Sequence, residues 1–122
     1  MEVTNFKMES ILDSIKTMLG IEPDYTHFDK AIIEYINTAF MTLNQLGVGP
    51  ENPVVIANEL DTWASEFSDI SNIEGIKTYT FLNVQLFFDP PSTSFVLEAK
   101  QRQIAELEFR LTMQQNYYNK EG

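Results

Sequence analysis

Two adjacent prolines, Pro90 and Pro91, interrupt the chain between two long stretches that otherwise suit helices. Each lacks an amide hydrogen and its ring collides with the preceding turn, so no helix continues through the pair. Pro90 also biases Asp89 toward an extended backbone. A proline is tolerated in the first turn of a new helix, and Ser92, Thr93 and Ser94 supply hydroxyls that can cap one. Asp89-Pro90-Pro91 is therefore expected to form a sharp, stiff corner with a separate element on each side.

After the corner, the pattern predicts a helix from about Ser92 to Tyr118, roughly 40 Å long at 1.5 Å per residue. Leu97, Ile104, Leu111 and Tyr118 recur every seven residues with Leu107 between them, and Lys100, Arg102, Glu106, Glu108 and Arg110 occupy the other positions. Glu106 and Arg110 are a favourable i, i+4 pair worth about a few tenths of a kcal/mol. The tail from about residue 113 is expected to fray unless a partner holds it. Before the corner, residues 73–88 carry two patterns at once. Leu82, Val84, Leu86 and Phe88 alternate as a strand would, whereas Ile76, Tyr79, Leu82 and Leu86 fit a helix. Length favours the helix, and a helix apolar on most sides must be covered on most sides.

Upstream, Ile11, Leu12, Ile15, Met18 and Leu19 mark a helix over about Glu9 to Leu19. Gly20 stands at its left-handed cap position and Pro23 prevents continuation. A second helix is expected from an N-cap at Thr26, with Asp29 in its first turn. Ala31, Ile32, Tyr35, Ile36, Ala39, Phe40, Leu43 and Leu46 form its apolar face, and Gly47 ends it. Residues 47–53 are a loop by their glycine and proline content. Asp61 to Phe67 reads as a short helical turn that places Trp63 and Phe67 on one face.

The fold class expected is all-α: a small bundle of four to five helices in one domain, 1–122, with a long C-terminal helix after the corner. Hydrophobic residues at 43% and charged residues at 21% suit a chain that folds rather than a disordered one. Without cysteine there is no disulfide framework and no thiolate metal site. The first residues lack the basic and apolar runs of a signal peptide, and no apolar run of about eighteen residues spans a membrane, so a soluble intracellular product is expected. The formal charge of −10 is unevenly placed. Residues 1–75 hold 13 acids against 3 lysines, while residues 76–122 hold 5 acids and 5 bases. Such a chain is repelled by nucleic acid rather than drawn to it, and solubility is the simplest reason for the acidity.

The residues give little purchase to catalysis. His27 is the single histidine, so neither a zinc site nor a Ser-His-Asp triad assembles around it, and it reads as a surface or capping residue. No EF-hand or phosphate-binding loop is present. The acid pairs Glu59/Asp61 and Glu106/Glu108 read as solvated surface, since acid–base work needs a cleft and a shifted pKa. No enzyme, cofactor or metal is expected.

Phe88-Asp89-Pro90-Pro91-Ser92-Thr93-Ser94-Phe95 followed by Ile104-Ala105-Glu106-Leu107-Glu108-Phe109-Arg110-Leu111 resembles the head–tail connector (adaptor, head-completion) proteins of tailed bacteriophages and prophages, especially those of Gram-positive hosts. Leu46-Gly47-Val48-Gly49, the Trp63-x-x-x-Phe67 turn and Lys77-Thr78-Tyr79 leading into Val84-x-Leu86 agree, so the likeness covers about residues 10–112. The resemblance implies an all-helical virion subunit, with 73–88 a helix. It implies a ring of about twelve copies beneath the portal protein, monomeric in isolation, joined on its other side by a stopper or tail-completion protein. DNA would be passing cargo and no membrane is involved. Trp63, Phe67, Tyr79 and Phe95 are candidate aromatic anchors for such contacts, with Arg102 and Arg110 as charged contacts; ordinary core is the competing reading for the aromatics. The alternative function is a small acidic helical interaction module, antitoxin-like or regulatory.

Overall fold

The order and ends of the helices follow from local signals that the backbone obeys closely. The computed structural model describes residues 9–67 and 72–121, with side chains through residue 116. The helices are α1 (Ile11–Met18), α2 (Asp29–Gln45), α3 (Trp63–Glu66), α4 (Ile73–Phe88) and α5 (Ser94–Glu121). Among the described residues the only β pairing is an isolated antiparallel bridge between Ser10 and Thr62. The all-α expectation holds.

Helix α1 opens on Ser10, whose hydroxyl accepts the Asp13 N–H at 3.1 Å. It closes at Gly20 (φ +83°), where the Ile21 N–H reaches the Lys16 carbonyl at 2.8 Å and the Gly20 N–H reaches that of Thr17 at 3.0 Å. Helix α2 closes the same way at Gly47 (φ +80°), with Val48 N–H on the Leu43 carbonyl at 2.9 Å. In both, glycine takes the left-handed position and the next apolar residue folds back over the helix end.

The start of α2 differs from expectation. The helix begins at Asp29, and its cap is Phe28, which makes no side-chain capping bond. Thr26 contributes only its carbonyl, which accepts the Asp29 N–H at 3.2 Å. Two tertiary contacts replace the cap. The Phe28 ring stands edge-on to Phe88 at 5.1 Å, and the Asp29 carboxylate meets Lys16 Nζ at 2.7 Å.

Helix α4 is central. α2 packs most extensively on it, α5 lies along another side, and α1 adds a smaller contact. Ile73, Ile76, Tyr79, Thr80, Leu82 and Val84 are all buried. That cover explains why its apolar residues show no single stripe, and why both strand and helix periods could be read in it. Its buried Thr80 hydroxyl donates to the Ile76 carbonyl at 2.7 Å, so the polar group costs little inside the core.

The segment 48–62 between α2 and α3 is held onto the bundle by side-chain amides and carboxylates. Asn37 Nδ2 donates to the Ile56 carbonyl at 3.1 Å, and the Ile56 N–H donates to Asn37 Oδ1 at 2.8 Å. The Asp61 carboxylate accepts the Ala57 N–H at 2.7 Å. Asp61 is thus a loop organiser rather than free surface. Thr62 caps α3 in a reciprocal box with Ser65.

Candidate assembly surface

The corner turns α5 back along α4 as an antiparallel hairpin. Asp89 ends α4, its N–H bonded to the Gln85 carbonyl at 2.8 Å, with φ −143° and ψ 71° ahead of Pro90. Of the three hydroxyls beyond the prolines, Thr93 does the capping: its Oγ1 accepts the Val96 N–H at 3.3 Å. Three contacts then run down the pair. Lys100 Nζ donates to Gln85 Oε1 at 2.8 Å. The Tyr79 hydroxyl donates to Glu108 Oε2 at 2.7 Å. Leu111 packs onto Gly75 so closely that a Cβ there would stand 3.0 Å from its Cδ2. Ile104 and Leu111 are buried, as the seven-residue spacing predicts. Tyr118 lies outside the residues whose side chains are described.

The candidate anchors divide cleanly. Trp63, Phe67 and Tyr79 are 0%, 4% and 0% exposed in the single chain, which favours the ordinary-core reading of these three. Trp63 and Phe67 close around Phe40, with centroids 5.1–6.1 Å apart, and Trp63 Nε1 donates to the Ser14 hydroxyl at 2.9 Å. Tyr79 stands in the α4–α5 seam. They are core because a short helix and a central helix each present their apolar side inward, where full burial of such a ring contributes about 1.5–3 kcal/mol. Phe95 is 76% exposed, and Arg102 and Arg110 are exposed beside it on α5. Arg110 is engaged by Glu106 at 2.6 Å. Arg102 has no ion pair among the described residues.

Sequence reasoning overlooked the rest of that face. Phe109 and Met113 are largely exposed, and at 100° per residue they fall within about 40° of Phe95 and Arg102. Phe95, Arg102 and Phe109 repeat every seven residues, two positions out of step with Leu97, Ile104 and Leu111. That second repeat was visible in the sequence. Helix α5 therefore carries two stripes on opposite sides, one buried on α4 and one turned outward.

A second exposed group lies at the corner end of the bundle. Tyr25, His27 and Phe28 pack ring against ring at 4.8–6.1 Å, Phe28 continues onto Phe88, and Tyr35 stacks on Phe87 at 5.6 Å. Tyr25 and Phe87 are more than half exposed. Around them Glu22, Asp24, Glu34 and Asp89 are exposed acids, against the exposed base Lys30 among the described residues. His27 is a surface residue of this group rather than a cap.

Among the described residues, Tyr79 and Asp13 depart from their ordinary pKa values. Burial raises the Tyr79 pKa, the hydrogen bond to Glu108 and the charge of that carboxylate raise it further, and Asn83 opposes them. Burial raises the Asp13 pKa, and Lys16 opposes it. They sit on different helices, and packing accounts for each. Glu108 is half-buried, which corrects its reading as solvated. Among the described residues no group of three metal-ligating side chains occurs, and no helix is long and apolar enough to cross a membrane.

No curated protein and no solved structure matches the chain. The family model described as phage connector protein matches residues 11–118, a span that includes α1 to α4, the proline corner and α5 up to residue 118 with both of its stripes. On that match the chain belongs to the phage connector protein family.

Proposed function

We propose that the protein is a structural, non-catalytic subunit of the phage head–tail connector. It forms a ring of about twelve copies beneath the portal and carries the DNA channel toward the tail. It assembles in the host cytoplasm and resides at the head–tail interface of the virion, where a stopper or tail-completion protein meets its far side. The observation that supports this most is the family match over residues 11–118.

The physical features agree with the role. A ring of many copies uses a heterologous contact, which needs two different faces on each subunit, and the outward stripe of α5 and the aromatic corner end differ in both position and charge. A hairpin locked by proline holds those faces at a fixed angle. The acidity concentrated in residues 1–75 keeps passing DNA from adhering. The test is to mix the purified chain with purified portal rings and follow sedimentation and electron microscopy. Co-sedimentation with added ring density below the portal is expected; absence of association at micromolar concentrations would overturn the reading.

A further inference from the structure

We propose that neighbouring copies of this chain meet through one particular pair of faces: the outward stripe of α5 on one copy seats against the acidic aromatic end of the next. The pairing deepens the ring reading above and rests on it for the number of copies, though not for its chemistry.

The stripe offers Phe95, Arg102, Phe109 and Met113. Phe109 and Met113 are one turn apart, and Arg102 lies two turns before Phe109 on the same line. Among the described residues nothing covers this face, and α5 buries its other side on α4. A second copy of the same face is a poor occupant for building a ring, since an isologous contact closes at two.

The corner end offers rings and carboxylates: Tyr25, Phe28 and Phe87 with Glu22, Asp24 and Glu34 about them. Two such ends repel, as each brings exposed acids toward exposed acids. Against the α5 stripe the same end gains. Arg102, which has no ion pair among the described residues, can stand over an aromatic face or beside a carboxylate. The Met113 thioether suits contact with an aromatic ring. Glu98 and the Glu106–Arg110 pair flank the stripe and leave it without the excess acid of the corner end.

Size also bears on when the contact forms. From Phe95 to Met113 the stripe is about 27 Å long and about 10 Å wide, below the roughly 800 Å² per partner of a stable complex. Copies therefore meet only when a larger ring holds them at high local concentration, and remain apart as free subunits. The two faces are distinct on each chain, so the contact is head to tail and propagates around a ring.

Because the protein has no cysteine, single cysteines report the contact directly. Thr26→Cys lies between Tyr25 and His27 at the corner end, and Ala105→Cys lies one turn before Phe109 on α5; both positions are exposed. The two variants, one carrying a mass tag, are mixed with a short bismaleimide, both at high concentration alone and on portal rings. The mixed product is expected at roughly fivefold over either homotypic product, where random encounter gives only about twofold. Adding Arg102→Glu to the Ala105→Cys chain should remove that excess while circular dichroism and thermal unfolding stay unchanged. A random ratio in both conditions overturns the pairing, as does a dominant Ala105-to-Ala105 product or cross-linking to the portal protein alone. If the wild-type chain binds portal rings without the mixed product, only the pairing fails. If the mixed product forms but the portal is never bound, the connector reading fails and the pairing stands.

Discussion

The Tyr79 hydroxyl donates to Glu108 Oε2 at 2.7 Å across the α4–α5 seam, a short polar link between the two helices that meet at the proline corner. Tyr79 is fully buried and Glu108 half-buried, so the bond forms where water competes poorly. Tyr79→Phe leaves the carboxylate without its donor and should cost about 1.5–3 kcal/mol, the range for hydrogen bonds to charged groups. Urea unfolding checks it. Burial and Glu108 both raise the tyrosine pKa, so the folded chain holds this proton more tightly than the unfolded chain. The contribution is complete below the ordinary tyrosine value of about 10 and is lost as pH rises above it. The wild-type melting temperature should therefore fall more steeply than that of Tyr79→Phe between about pH 10 and 11.

Farther down the same seam, Gly75 admits Leu111. A Cβ at Gly75 would stand 3.0 Å from Leu111 Cδ2, the end of a side chain that can rotate. Gly75→Ala should change stability by less than about 1 kcal/mol, the helix preference for alanine offsetting the displaced leucine. Gly75→Val should cost about 1–3 kcal/mol by overpacking. Combining it with Leu111→Ala should recover part of that loss, a coupling that a double-mutant cycle reads directly. Additive effects would show that the two residues do not share the space.

Lys16 is buried, with Nζ on Asp29 Oδ1 at 2.7 Å and on the Pro23 carbonyl at 2.8 Å. One ammonium thus fastens the end of α1 to the connecting segment and to the start of α2, where a capping side chain is missing. Lys16→Ala strands the partly buried carboxylate and should cost about 3–5 kcal/mol. Lys16→Met, which keeps the stem, should cost less. Chemical denaturation of both, with Asp29→Ala to complete the cycle, checks the ordering; equal losses would place the stabilisation in the charge rather than in the stem.

What the sequence showed plainly was whatever local chemistry decides. Gly20 and Gly47 announced helix ends because only the left-handed position needs glycine there, and Pro90-Pro91 announced the corner because two missing amides forbid a helix. Whatever depends on cover was not legible. Helix α4 shows no clear stripe because α2, α5 and α1 share its surface, and the family resemblance rather than periodicity identified it as helical. Trp63 and Phe67 look alike as core or interface residues until Phe40 is seen between them. Glu108 reads as surface until Tyr79 reaches it. On α5 the outward repeat of Phe95, Arg102 and Phe109 was legible in principle, and the stronger leucine repeat two positions away masked it.

The corner itself gives the last test. Replacing Pro90 and Pro91 by alanine restores two amides and removes the clashes that stop α4. Merging α4 and α5 into one straight helix would pull Ile104 and Leu111 out of the core and break the Tyr79–Glu108 bond. Losing each buried leucine or isoleucine contact costs about 1.5–3 kcal/mol, more than the added helical turn returns. The isolated double variant should therefore keep its hairpin, with helicity equal to or slightly above wild type by circular dichroism. What it loses is the fixed angle, since five residues between Phe88 and Ser94 then sample more conformations. Ring assembly needs that angle repeated in every copy, so association with portal rings should be lost or give irregular arcs in electron microscopy. Regular rings from the double variant would show that the α4–α5 packing alone sets the geometry.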